Sequence, residues 1–117
     1  MAYVDGFLVP VPKARIGEYL EMAKLGAQVW TDHGALSVNE AQADDAPMGL
    51  VTSFPRAVQM QEDETVFFSW ITYRDRAHRD AVNALVMADP RLHMDMALMP
   101  FDGKRMVFGG FEIMVTK

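Results

Sequence analysis

Residues 65–73, TVFFSWITY, constrain this chain more than any other stretch. Bulky residues sit on both parities: Val66, Phe68 and Trp70 on one, Phe67, Ile71 and Tyr73 on the other. A strand of this kind has no polar face to offer water, so it belongs in the middle of a sheet with both faces covered. The rest of the chain must supply its neighbours and its covers.

Residues 3–9 predict a first strand, with Tyr3, Asp5, Phe7 and Val9 on one face and Val4, Gly6 and Leu8 on the other. Pro10 and Pro12 are expected to end it, because proline lacks the ladder donor. Residues 13–33 predict a helix: Ile16, Tyr19, Leu20, Ala23, Ala27 and Trp30 recur at three- and four-residue spacing. Gly34 stands where a left-handed cap is wanted, and Gly26 is read as room for another element. Residues 35–42 alternate Leu36 and Val38 with Ser37 and Asn39, one apolar face that suits an edge strand.

Residues 44–64, with Pro47, Gly49 and Pro55, form a long connection that Val51, Phe54, Val58 and Met60 are expected to anchor. Connections of that length usually carry function or local structure. Asp75 suits the N-cap of a helix over 76–88, with a stripe of Ala77, Ala81, Val82, Leu85 and Ala88. Pro90 opens a short turn, and residues 105–115 predict the last strand. Its Gly109-Gly110 pair marks a bulge, a bend or a close backbone approach.

The order β-α-β, link, β-α-β is the ferredoxin-like split arrangement. The fold class read from it is α+β: βαββαβ, a four-stranded antiparallel sheet with two main helices on one face, one domain over residues 1–117. Two helices cover one sheet face only. The second cover is expected from an identical sheet of a second chain, which makes the assembly a homodimer with facing sheets.

Charge and composition narrow the function. The chain has 11 Lys and Arg against 16 Asp and Glu, a net charge of −5. That balance argues against nucleic acid, whose binding rests on many Lys/Arg contacts to phosphate. With no cysteine, disulfides, thiolate catalysis and cysteine zinc sites are excluded. No signal-peptide pattern and no apolar run near 18 residues is present, so no membrane association and a cytoplasmic location are expected. The histidines His33, His78 and His93 show no HxH, HxxxH or HExxH spacing, and no metal or organic cofactor is expected.

Asp5 and Glu112 are the odd charges, each inside an otherwise apolar strand. A buried carboxylate is costly unless it is paired. One reading pairs them, with Arg105, with Lys104 or across a dimer interface. The other has two close carboxylates share a proton and serve as general acid or base. His33 is either a helix-end surface residue or a third acid/base group. Trp70 and Tyr73 are either core or the lining of a ligand pocket, to which Tyr3 adds a hydroxyl and Arg105 a cation. The ten methionines are packing filler or the plastic wall of a pocket for an apolar ligand.

Several strings resemble an uncharacterised bacterial family, domain of unknown function 1428, the YbaA-like proteins. They are Tyr3-Val4-Asp5-Gly6-Phe7, Val9-Pro10-Val11-Pro12-Lys13, Glu64-Thr65-Val66 and Phe68-Ser69-Trp70-Ile71. Further along come Arg79-Asp80-Ala81, Ala88-Asp89-Pro90-Arg91, Pro100-Phe101-Asp102-Gly103-Lys104-Arg105-Met106 and Gly109-Gly110-Phe111-Glu112. The resemblance spans essentially the whole chain and implies the dimeric α/β-barrel superfamily, without an activity. Wider relatives there include cofactor-free monooxygenases, haem-degrading enzymes, muconolactone-isomerase-like proteins and stress-responsive barrels. Asp80, Ala81 and Val82 occupy the stretch where haem-degrading relatives carry their histidine, which argues against haem. Some family members carry a name referring to signal recognition particle 4.5S RNA, which the acidic charge disfavours. Two expectations stand: a cofactor-free enzyme of monooxygenase or isomerase type on a small apolar or aromatic molecule, held near Trp70, Tyr73 and loop 44–64, or a non-catalytic binding or stress-response module with the same pocket.

Overall fold

The computed structural model of the chain describes residues 2–117; Met1 and the side chain of Met96 lie outside that description. Four strands carry the fold: β1 (Tyr3–Pro12), β2 (Ser37–Gln42), β3 (Glu64–Tyr73) and β4 (Val107–Glu112). Between them lie helices α1 (Ile16–Asp32), α2 (Phe54–Ala57) and α3 (Arg76–Met87). The strands form one antiparallel sheet in the order β2-β3-β1-β4, so β1 and β3 are central. This α+β arrangement is compatible with the ferredoxin-like fold.

Register sorts the side chains. Asp5 lies opposite Ile71, Phe7 opposite Ser69, Val38 opposite Ile71 and Glu40 opposite Ser69. The face carrying these residues takes both long helices. Tyr3, Ile71 and Tyr73 pack with Val29 of α1 and with Val82 and Val86 of α3. Val9, Val11 and Phe67 pack with Tyr19 of α1. Each such buried side chain contributes about 1.5–3 kcal/mol by leaving water. The opposite sheet face is apolar and unevenly covered: Phe68 is 42% exposed and Phe111 62%.

Several local features differ from the sequence reading. β1 runs through Pro10 and Pro12 instead of ending at them. Its pairing with β4 stops at Leu8 opposite Val107, so both prolines sit where only the β3 flank is paired. The inward stripe of α3 is rotated from the expected one. Val82 and Val86 are buried, while Leu85 is 52% exposed. The rotation turns Arg79 and Asn83 inward, where each finds polar partners. Gly26 admits no second element, since a Cβ there would meet only Trp30 of its own helix. Gly110 is a close approach: a Cβ would stand 2.7 Å from Cε2 of Tyr3, and the ladder runs through both glycines without a bulge.

Caps follow the expected chemistry. The Asp75 carboxylate accepts from the His78 amide at 2.8 Å. Gly34 takes φ +109° just past α1. The 44–64 connection carries α2, capped by Ser53, and buries Pro55 and Val58, whereas Val51 stays 89% exposed. No helix of the described residues is long and apolar enough to cross a membrane.

Candidate functional site

A cavity of about 680 Å³ lies between the inward sheet face and the two long helices. Its floor is Phe7, Val38 and Ile71. Its roof is α1, where Ala23, Gly26 and Ala27 withhold side-chain volume beside Trp30. Small residues on that helix make the space. The segment after α3 closes the remaining side through Leu92, Met94, Met99 and Met106. This corrects the expectation that loop 44–64 closes a pocket. Residues 54 and 66 instead line a separate shallow groove with Asp44 and Asp45. A cavity that is mostly apolar with a few placed polar groups is the usual form of a small-molecule site.

Two polar clusters break the apolar lining. In the first, Arg79 of α3 reaches Asp5 of β1 with Nη1 to Oδ1 at 3.2 Å. Arg79 Nη2 donates to the Tyr3 hydroxyl at 3.1 Å, and the guanidinium lies 4.9 Å from the Tyr3 ring centroid. Arg79 Nε is 3.0 Å from an Asp80 oxygen but misaligned, and it remains buried with no hydrogen-bond partner. Beside this pair, Asn83 Oδ1 accepts from Trp30 Nε1 at 3.2 Å and from the Tyr73 hydroxyl at 3.3 Å. Two donors fix which amide atom is the oxygen. Burial and the nearby Asp5 charge push the Tyr73 phenol up, so it stays a neutral donor.

The second cluster sits on the edge strand. Tyr19 of α1 donates to Glu40 Oε1 at 2.7 Å. Crowding around the carboxyl pushes the Glu40 pKa up, and the Tyr19 and Ser69 hydroxyls oppose that shift by favouring the charged form. The residue as a whole keeps solvent contact along the open flank of β2. Burial and the Glu40 charge push the Tyr19 phenol up in turn.

The residues named from sequence fall in several places. Asp5 lines the cavity, whereas Tyr3 and Tyr73 are buried outside its lining and hydrogen-bond the lining residues Arg79 and Asn83. Trp70 is on the opposite sheet face, opposite Gly6, so the structure does not bring it together with Tyr73. Glu112 is exposed, opposite Tyr3 on β4, and is not gathered with Asp5. Asp5 pairs with Arg79 instead of Arg105 or Lys104. Arg105 forks onto Glu64 at 2.6 Å and onto Asp102 at 3.0 Å, away from the cavity. His33 bonds Asp89 at 2.8 Å in a cluster that Arg91 extends to Asp32, fastening the end of α1 to the turn after α3. Of the other histidines, His93 lines the cavity and His78 accepts from the Arg74 amide. Among the described residues no group of three or more His, Cys, Asp or Glu is gathered as for a metal ion.

Sequence reasoning missed Glu40, Tyr19, Arg79 and Asn83 as site residues. Glu40 had a readable signal, because it shares the inward parity of Val38, the same logic that singled out Asp5. Arg79 and Asn83 were hidden by the apparent alanine stripe of α3.

Comparison with known proteins fixes the kinship. The fold and cavity define an α+β protein with a site between sheet and helices. The chain belongs to the family described as Protein of unknown function (DUF1428), which it matches over residues 2–103. It is 48% identical over 117 residues, the whole of both chains, to "Uncharacterized protein YbaA" of Escherichia coli (strain K12). The similarity to the protein of the same name in Shigella flexneri is the same.

Proposed function

We propose that this protein is a cytoplasmic homodimer, a dimeric α/β barrel whose subunits each hold one small apolar or aromatic molecule without a metal or organic cofactor. The cavity of about 680 Å³ between sheet and helices is the observation that carries this reading. Its volume suits a drug-sized ligand. The dimer half of the reading is supported by the second sheet face, where Phe68, Val107 and Phe111 stand well exposed. The net charge of −5 lends no support to an RNA partner. Unused hydrogen-bonding capacity on the lining residues Arg79 and Asn83 favours a chemical or ligand-selective role over inert packing; the non-catalytic binding module shares the same cavity and dimer.

Native mass spectrometry of protein purified from a bacterial lysate tests both halves. The expected result is a mass of two chains carrying up to one retained small molecule per chain. Ala27→Trp, which fills the cavity roof, should remove the molecule and leave the dimer. Phe111→Asp should do the reverse, yielding monomers that keep the molecule. A native chain that is monomeric at micromolar concentration, or a ligand that survives Ala27→Trp, overturns the corresponding half.

A further inference from the structure

We propose that the cavity is a polarised slot for an elongated two- or three-ring molecule, with Glu40 accepting a hydroxyl of the ligand at one end and the Asn83 amide donating to a ligand carbonyl at the other. This deepens the reading of the cavity as a small-molecule site and rests on it.

The polarity follows from hydrogen-bond valence. Oε1 of Glu40 accepts from Tyr19 and the Ser69 hydroxyl stands beside the same carboxylate, which with four lone pairs keeps capacity for a further donor. Glu40 lines the cavity, so its second oxygen is an acceptor within reach of a guest. At the other end the Asn83 oxygen is taken by Trp30 and Tyr73. The amide nitrogen therefore carries the donors, and among the described residues no acceptor is bonded to it. Neither Glu40 Oε2 nor Asn83 Nδ2 is sealed in a dry void. The protein presents a net acceptor at one end and a net donor at the other.

The register sets the length. Glu40 belongs to the Ser69 row and Asn83 hangs over Tyr73. Those rows are four residues apart on β3, about 13 Å at the rise of a strand. Val38 and Ile71 floor the interval and Trp30 and Ala27 roof it, with the Asp5–Arg79 pair on its flank at the Ile71 row. A fused-ring body with oxygen at both ends matches that pattern. An acceptor or donor that the wrong ligand covers without pairing loses its water and penalises binding, which gives the slot its selectivity.

Three probes test the assignment on the full-length dimer: 6-acetyl-2-naphthol, 2-naphthol and 2-acetylnaphthalene, titrated by calorimetry. In the unaltered protein the probe with both groups should bind at least tenfold tighter than either probe with one. Glu40→Gln turns the acceptor towards a donor and should cost the two naphthols about tenfold while sparing 2-acetylnaphthalene. Asn83→Asp keeps the oxygen that Trp30 and Tyr73 require and should cost the two acetyl probes while sparing 2-naphthol. Equal weakening of all three probes by either variant, or no advantage for the bifunctional probe, overturns the polarity. Should Asn83→Asp fail to fold, the Glu40→Gln arm and the probe ranking decide alone. No binding of any probe to the unaltered protein overturns the cavity reading beneath it, which is a different result.

Discussion

Arg105 and Arg79 hold buried carboxylates in opposite ways. The Arg105 guanidinium is saturated. Its Nε donates to Asp102 at 3.0 Å, and Nη1 and Nη2 fork onto Glu64 at 2.8 and 2.6 Å, with the carbonyls of Val58 and Gln59 also in reach of Nη1. Glu64 Oε1 accepts the Gln61 amide as well. Arg79 instead pairs with Asp5 and Tyr3, and its Nε, 3.0 Å from Asp80, makes no aligned hydrogen bond. The first arrangement closes on itself and joins segments 41 residues apart. The second keeps bonding capacity, as does Glu40 across the cavity. Saturated charge fastens the chain, and incompletely matched charge marks where a guest is expected.

The largest test of that contrast is Arg105→Leu. It strands a Glu64 side chain that is only 4% exposed. Removing one partner of a buried pair costs 3–5 kcal/mol, and partial exposure of the fork reduces this to about 2–3 kcal/mol here. Urea denaturation at pH 7 measures it. A loss under about 0.5 kcal/mol would place Arg105 among surface charges and erase the contrast.

The pH dependence sharpens the same point. Hydrogen bonding to Arg105 holds Glu64 and Asp102 below the usual carboxylate range. Hydrogen bonds from Arg91 do the same for Asp89 and Asp32. A carboxylate with a depressed folded pKa contributes stability that is fully present above its unfolded value, about 4, and is lost as pH falls through the folded value. The native protein should therefore lose stability steadily below about pH 4. Arg105→Leu should flatten part of that acid limb. Denaturation midpoints between pH 7 and pH 3 supply the comparison, and parallel curves for the two proteins would contradict it.

The difference between the two arginines also explains what was readable in the sequence. Parity alone placed Asp5 inward and gave β3 its central position, because strand alternation is a local property. The partner of Asp5 lies 74 residues away, and no local rule selects Arg79 over Arg105. Trp70 illustrates a second limit. With both parities of β3 apolar, the strand itself does not say which face the helices take. The inward turn of Arg79 and Asn83 contradicts the apolar-stripe rule because Asp5, Tyr3, Tyr73 and Trp30 give each side chain polar partners for part of its bonding capacity. Prolines within β1 became tolerable only through the short pairing of β4, a tertiary fact. Placement of elements was thus written locally, while the closing of the cavity by residues 92–106 depended on how distant segments meet.

Glu40→Gln is the smallest effect and the finest discriminator, because its sign opposes that of the Arg105 fork. Crowding raises the Glu40 pKa in the folded chain. A carboxyl with a raised folded pKa contributes stability that is present below its unfolded value and lost as pH rises through the folded one. At pH 7 the native carboxylate is then held at some cost, which a neutral glutamine escapes while still accepting from Tyr19. The variant should be as stable as the native protein or slightly more so at pH 7, within about 0.5 kcal/mol because the residue is open along its edge strand. The gap should shrink as pH falls below 4, where both side chains are neutral. Glu64→Gln should show the reverse, a clear loss at pH 7 that shrinks in acid. A Glu40→Gln variant that instead behaves like Glu64→Gln would make Glu40 a fastening charge of the Arg105 kind, and its bond to Tyr19 would then belong to the architecture instead of to a ligand site.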